Sequence, residues 1–250
     1  MAIREPLMNK EYFEFAIDSR NKYIVELKED IKTNNPKIPN WGVVYNQLCF
    51  DQLNLVFLKY SAGYSIEECK NLTLETIKNY IISENHKDNE PDKFNDYIGV
   101  YEDGLRLTCL SILFNIDTLI IEDLKKTFDE TKGKSDFLLD NLLKFRINFQ
   151  KSSEKLIFPK FYSQLAEVFS NKNKEECVKK YLENWYNLMK STSWHNTHKK
   201  SKTGSVSSFV GYWAIEAAAV TYVLDIDDTS YKKMPYYPAD LVDYARSSKK

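Results

Sequence analysis

Apolar residues recur at steps of three and four along most of the chain, which is the spacing of amphipathic α-helices. The first run covers about 9–31 with Asn9 as its cap, and the second runs from Trp41 to about 63. A third begins at a capping-box pair, Ser65 and Glu68, and continues to 82. The pattern therefore predicts a helical amino-terminal half.

The second half of the chain continues this pattern in shorter runs. We expect helices at 93–115, 117–131, 135–148, 159–170 and 174–190, and a short one after Pro238. Asn173 and Glu176 occupy capping positions for the last of these five runs. A polar stretch at 191–205 predicts a loop before the strongly apolar segment 206–224. The sequence thus predicts an all-α, multi-helix fold with little or no β structure.

The best candidate for a domain boundary is Lys132-Gly133-Lys134. A single glycine lies between two lysines there, and Ser135 follows as a possible helix cap. We therefore expect two packed helical subdomains, 1–133 and 134–250. There is no fixed-period repeat and no low-complexity tract.

Composition agrees with a helical globular protein and narrows its partners. The 250 residues include only 7 glycines, and frequent glycine turns are typical of all-β chains. A net charge of -1 gives no electrostatic argument for coating nucleic acid. The N-terminus lacks an apolar signal core, and no run reaches the roughly 18 apolar residues of a membrane helix. The four cysteines are widely separated, so we expect free thiols and a cytoplasmic protein: Cys49, Cys69, Cys109 and Cys177.

The most enzyme-like motif is Asp225-Ile226-Asp227-Asp228-Thr229, which follows an apolar run. It resembles the DxDxT signature of haloacid-dehalogenase-type phosphatases, whose aspartates act as nucleophile and acid/base and hold magnesium. In that family a parallel sheet follows the motif, whereas here only residues 230–250 remain, too few for its crossovers. We therefore interpret the motif as an Asp-rich turn after a helix, and expect neither enzyme activity nor a cofactor.

His195 and His198 stand three apart and can share one face of a helical turn. No cysteine or acid lies between Glu183 and Glu216, so the ligands that would complete a metal site are missing. We interpret both as structural or loop histidines. The lysines of the same stretch favour a solvated loop over a phosphate site: Lys190, Lys199, Lys200 and Lys202.

An acidic stretch runs from residue 84 to residue 103 with only two lysines, Lys87 and Lys93. Its acids are Glu84, Asp88, Glu90, Asp92, Asp96, Glu102 and Asp103. Close carboxylates without basic neighbours repel one another. A solvated helix face and a surface complementary to a basic partner both explain the pattern, and both stay open at this point.

An ordered series of motifs in the second half resembles the PoNi family, the immunity proteins of polymorphic nuclease effectors. The series comprises Phe158-Pro159, Tyr181-Leu182-Glu183-Asn184-Trp185-Tyr186, Trp194, His198, Gly211-Tyr212-Trp213, Glu216, Asp225 to Asp228, and Tyr236-Tyr237-Pro238. The strong match covers about 136–245, and the segment from Arg4 to Phe13 resembles the family's amino-terminal region more loosely.

The resemblance implies a helical, two-part, non-enzymatic protein that neutralises a cognate DNase toxin delivered between competing bacteria. It implies a protein partner and no direct contact with nucleic acid or membrane. The first candidates for toxin binding are carboxylates that would match a basic nuclease site: Asp88, Glu90, Asp92, Asp96, Glu102 and Asp103. The second candidates are Asp225, Asp227 and Asp228. A helical nucleic-acid-binding protein, or another interaction module without a toxin, is the alternative, and the oligomeric state stays open.

We interpret the other motif residues as structural. Gly211 is expected to allow a close approach of helices, and Tyr212 and Trp213 to supply buried area. Glu216 lies on an apolar helix, so it needs a partner, for which His198 or a lysine is a candidate. Tyr236, Tyr237 and Pro238 are expected to form a rigid turn that docks the last helix.

Overall fold

The computed structural model describes residues 2–86, 94–128, 134–199 and 208–248. These residues form ten α-helices and no strand, which confirms the predicted all-α fold class. The chain divides into two compact units, each built from two separate stretches of sequence. Unit 1 comprises Met1–Asp92 and Asn196–Tyr212, and unit 2 comprises Lys93–His195 and Trp213–Lys250.

Unit 1 contains three long helices, α1 (Lys10–Thr33), α2 (Trp41–Ser61) and α3 (Ile66–Glu84). The helix α2 packs against both of the others, and it is apolar around most of its circumference because it is buried between them. The predicted caps are present. The Asn9 side chain accepts from the Tyr12 amide, and Ser65 and Glu68 form a reciprocal capping box.

Unit 2 contains seven shorter helices. They are α4 (Ile98–Leu113), α5 (Thr118–Thr127), α6 (Phe137–Leu143), α7 (Pro159–Ala166), α8 (Lys174–Leu188), α9 (Ile215–Val223) and α10 (Ala239–Ser247). Within this unit α4 and α9 make the most extensive contact. Ala217, Ala218 and Ala219 are fully buried, and their small side chains let the two backbones approach.

Several helices are shorter than the apolar pattern predicts, and contacts of α4 and α6 explain two of these differences. The predicted helix from 93 begins only at Ile98, because Phe94 lies in a turn that packs its ring against Tyr101 and Phe128. The predicted helix to 148 ends at Leu143 and continues as turns, since the Arg146 guanidinium donates to the Ile116 carbonyl. Tertiary contacts therefore decide where α4 begins and where α6 ends.

The predicted cap at Ser135 is wrong. Asp136 replaces Ser135 at the start of α6, where its carboxylate accepts from the Leu138 and Leu139 amides. A carboxylate there also interacts favourably with the helix dipole. Asn173 occupies the N-cap position of α8, as predicted, although its side chain makes no capping hydrogen bond. The boundary expected at Lys132-Gly133-Lys134 falls mostly outside the described residues, and the subdomains 1–133 and 134–250 stay a prediction.

Candidate functional site

The acidic stretch that the sequence singles out is only partly described. Asp96 is exposed in the turn that leads into α4, whereas Glu102 and Asp103 lie within that helix. The remaining three candidates lie outside the described residues: Asp88, Glu90 and Asp92. The candidates therefore do not share one environment, and the local structure of α4 separates them.

Glu102 is held inside unit 2. It is 4% exposed, and its Oε2 accepts a hydrogen bond of 2.9 Å from the indole Nε1 of Trp194. Burial raises the pKa of this carboxyl, and neither the Arg106 guanidinium nor the Trp194 hydrogen bond fully offsets that effect. The contacts of Glu102 are therefore those of an internal anchor for Trp194.

Asp103 is half-buried beside the same guanidinium. Its Oδ1 lies 4.0 Å from Nη1 of Arg106, while Glu102 Oε2 lies 3.8 Å from Nη2. Burial raises the pKa of Asp103 to about 7, which Arg106 opposes and Glu102 reinforces. One guanidinium thus lies near two carboxyl groups.

The outer face of α4 carries more than acids. At about 100° per residue, Gly99, Val100, Asp103 and Arg106 fall within an arc of roughly 120°. Tyr97, the N-cap residue, is 57% exposed and Val100 is 38% exposed. We call the set Asp96, Tyr97, Val100 and Asp103 the α4 face.

The sequence interpretation missed the apolar part of this face and the role of Arg106. A partial signal was available, because Asp103 and Arg106 stand three apart on a mostly apolar helix and therefore share one side of it. Glu102 lies just outside that arc, and its side chain is buried in unit 2.

The Asp-rich motif is a turn after the helix α9, as the sequence analysis interprets it. Asp225 has a left-handed backbone (φ 50°) and is exposed. Asp227 is also exposed and accepts from the Thr229 amide at 3.0 Å. Asp228 is buried, where it binds Arg246 Nη1 at 2.8 Å and accepts from the Tyr237 hydroxyl at 3.0 Å. The motif follows a helix rather than a strand, so the phosphatase context is absent.

Glu216 has partners other than those expected. Its Oε1 accepts from the Tyr181 hydroxyl at 2.7 Å and from the Trp185 indole at 2.6 Å, so the expectation of His198 or a lysine is wrong. Both donors lie on α8 one turn apart and therefore face α9 together. Burial raises the pKa of this carboxyl, which these hydrogen bonds oppose.

Aromatic rings continue outward from this carboxyl within unit 2. Trp185 stacks on Trp194 with ring centres 5.3 Å apart and planes at 24°, and it also contacts Tyr236 at 5.1 Å. Tyr186 lies against His195 and Tyr236. Tyr236 needs a left-handed backbone (φ 69°) to turn its ring this way. Family-motif residues thus form one supporting cluster.

The motif residues of unit 1 form a separate set. His198 Nδ1 lies 2.8 Å from the Tyr212 hydroxyl, and the Tyr212 amide donates to Glu5 Oε2 at 3.0 Å. Gly211 has a φ of 105° and lies outside the helices. A glycine is favoured there because it adopts this backbone conformation, and not because two helices approach closely, as we expected.

Two absences hold for the residues that the structure describes. They contain no group of three or more histidine, cysteine or acidic side chains arranged to hold a metal ion. None of their helices combines the length and the apolar character that crossing a bilayer requires.

Comparison with protein families decides the identity. The model of the N-terminal domain of PoNe immunity proteins (PoNi) matches residues 4–126, and that of the PoNi C-terminal domain matches residues 134–241. The chain belongs to the PoNi family. PoNi proteins are immunity proteins rather than enzymes, so this chain has an immunity role against a nuclease toxin.

A solved structure agrees with this fold. The crystal structure of protein PA2201 from Pseudomonas aeruginosa superimposes with a TM-score of 0.77, covering 98% of this chain and 91% of that one. At 19% sequence identity the likeness concerns the fold alone. No curated protein matches the sequence.

Proposed function

We propose that this PoNi protein binds a cognate DNase toxin of a bacterial secretion-system effector and covers its DNA-binding or active site. The observation that carries the proposal is the pair of family matches, which together span most of the chain from residue 4 to residue 241. In this proposal the protein binds the toxin in the cytoplasm, where the toxin would otherwise reach DNA.

Charge provides the physical reason for occlusion. A nuclease attracts phosphates with lysine and arginine, so its DNA-binding surface is basic. A protein inhibitor can occupy such a surface with carboxylates, which accelerate association and fix the orientation. The acidic stretch around Asp96 is the first candidate for this role. The turn that exposes Asp225 and Asp227 is the second, whereas Asp228 is engaged with Arg246.

The direct test is co-expression with the nuclease domain of a toxin effector, which we would seek first among the genes adjacent to this one. We expect cells to survive expression of the active nuclease only when this protein is present, and the two proteins to purify together. The nuclease should also lose DNA cleavage in vitro at a 1:1 ratio. Continued DNA damage in cells that contain both proteins, without co-purification, would refute the proposed function.

Charge reversal tests which candidate takes part. Lysines in place of Asp88, Glu90, Asp92 and Asp96 should slow association about tenfold or more at low salt, with less effect as salt screens the attraction. The rate is measured by surface plasmon resonance on an inactivated nuclease domain. An unchanged association rate, with protection intact, would eliminate the acidic stretch and favour either the second candidate or occlusion by bulk.

A further inference from the structure

Glu102, Arg106 and Asp103 form an ion cluster near the surface of unit 2. Arg106 is within 4.0 Å of both carboxyl groups, and its side chain is 23% exposed. Glu102 is enclosed and engaged by Trp194, whereas the Asp103 side chain remains 28% exposed. Asp103 shares the Arg106 guanidinium with Glu102, so the exposed part of its carboxyl group can accept from a further cation. Asp103 is the open position of this cluster.

Exposed apolar groups stand beside this open carboxylate. Val100 precedes Asp103 by one helical turn, and Tyr97 caps the same helix. Tyr97 is 57% exposed and Val100 is 38% exposed, so both leave apolar surface in water, whereas the large apolar side chains from Tyr101 to Leu113 are buried. Tyrosines are enriched among the residues that dominate binding energy in protein interfaces.

The support beneath the face is rigid. Trp194 stacks on Trp185, its indole is fixed by Glu102, and the Arg106 guanidinium lies 5.7 Å from its ring centre. Rings locked by packing and hydrogen bonds lose little conformational entropy when a partner binds. The side chains of Glu102 and Arg106, which lie next to Asp103, are therefore already held in place before a partner binds.

We infer that the α4 face is the toxin-docking surface, with Tyr97 and Val100 as the apolar anchor and Asp96 and Asp103 as acceptors for toxin lysine or arginine. The inference rests on the proposed function. Its occupant is the basic DNA-binding surface of the nuclease, because an apolar anchor flanked by carboxylates complements a surface built for phosphates.

The α4 face differs from the acidic patch read from the sequence. Glu102 is not part of it, because its carboxyl points into unit 2. In our inference Tyr97 and Val100, rather than Glu102, lie at the centre of the contact with the toxin. Carboxylates at the rim then set the rate of association, and the anchor sets the lifetime of the complex.

The test measures binding of single variants to the inactivated nuclease domain by surface plasmon resonance. We expect Tyr97→Ala and Val100→Ser each to raise Kd by about tenfold or more, mainly through faster dissociation. Tyr97→Phe should bind nearly as well as the wild type, since it keeps the ring. Asp96→Lys and Asp103→Lys should slow association, and more strongly at low salt.

The helix α5, in the same unit, offers matched controls. Leu119 is 69% exposed and Glu122 is exposed, so Leu119→Ala and Glu122→Lys repeat the same types of change away from α4. Both should keep Kd within about twofold of the wild type. Urea-unfolding midpoints of all variants identify any that bind poorly because they fold poorly, and Tyr97→Phe remains informative in that case.

The outcomes separate the inference from the proposed function. If the wild type binds the nuclease domain and the α4 variants bind as well as the α5 controls, the inference is overturned and the proposed function stands. If lysines at Asp225 and Asp227 abolish binding while the α4 variants do not, the docking surface is the second candidate. If the wild type binds no nuclease domain, both proposals fail.

Discussion

Two glycines of α4 have opposite structural roles, although they lie on the same helix. A Cβ added at Gly104 would meet Phe128 Cε1 at 2.7 Å and Cζ at 2.9 Å, and Phe94 at 3.2 Å, whereas one added at Gly99 would meet nothing within 4 Å. Gly104 is therefore required by the close packing of two buried rings, and Gly99 is not required by packing.

We predict that Gly104→Ala lowers the free energy of unfolding by about 1–3 kcal/mol, because overpacking displaces those rings. Gly99→Ala should leave stability unchanged or raise it by up to about 1 kcal/mol, since alanine favours the helix. Urea denaturation followed by far-UV circular dichroism measures both. Equal effects of the two substitutions would contradict the role assigned to the rings.

Glu216 offers a second prediction about a single side chain. Replacing it with alanine leaves the Tyr181 hydroxyl and the Trp185 indole without their acceptor and opens a cavity. We expect a loss of roughly 3–5 kcal/mol.

Glu216→Gln should cost much less than Glu216→Ala, because its carbonyl oxygen can still accept from both donors. Thermal unfolding compares the two variants, with about 2–4 °C expected per kcal/mol for a chain of this size. If Gln is as damaging as Ala, the charge rather than the hydrogen bonding stabilises this site.

The Asp-rich turn determines how the last helix is attached. Asp228 binds Arg246 of α10 and the Tyr237 hydroxyl, while Arg246 also donates to the Ile226 carbonyl at 2.6 Å. The turn after α9 is thereby joined to α10, and the Tyr236-Tyr237-Pro238 segment lies between them.

We predict that Asp228→Ala loosens α10 and lowers stability by about 1–3 kcal/mol. Asp225→Ala, at the exposed position of the same turn, should change stability by less than about 0.5 kcal/mol. Hydrogen exchange of the 239–247 amides provides a local measurement. Protection that is unchanged in Asp228→Ala would show that packing alone holds α10.

The presence of the helices was predictable from the sequence, whereas several helix ends and several hydrogen-bond partners of buried side chains were not. The capping box at Ser65 and the spacing of α1 are local signals, so pattern reasoning found them. The start of α6 at Asp136 depends on that carboxylate also accepting from Tyr101 and from the Ile157 amide, which lie far away in sequence. The same limit applies to the Glu216 partners, since no local rule links α9 to α8.

Candidate contact residues were only partly predictable for a related reason. Acidity along 84–103 is visible in the sequence, but which acids face outward depends on the phase of α4 and on where it begins. Val100 and Glu102 lie about 200° apart around the helix. The packing of α4 within unit 2 then decides that Glu102 is buried and Val100 is exposed. Composition alone cannot supply that phase.

The whole molecule should respond to pH in an unusual direction. Among the described residues, burial is the first cause of a raised pKa at five carboxyl groups, whereas hydrogen bonds at the surface lower the pKa of Glu68 and Asp227. The five are Glu5, Glu102, Asp103, Asp136 and Glu216. Such groups hold protons more tightly in the folded state, so unfolding releases protons above the unfolded pKa near 4.

We therefore predict that stability falls as pH rises from about 5 to 7, with each group contributing at most about 1.4 kcal/mol per pH unit. For Asp103 the loss should be complete slightly above its folded pKa of about 7. Urea unfolding at several pH values measures the slope, and Asp103→Asn should make it shallower. A steady gain in stability between pH 5 and 7 would contradict this prediction.

The Trp185–Trp194 stack also has an optical consequence. Of the four tryptophans, three lie in unit 2, and Trp41 lies in unit 1 at the start of α2. Two indoles stacked 5.3 Å apart exchange excitation, and Trp194 emits beside the Arg106 guanidinium of α4. Intrinsic fluorescence therefore reports mainly on unit 2. In a Trp41→Phe variant, the intrinsic fluorescence should therefore detect, without a label, the binding of a tryptophan-free partner to α4.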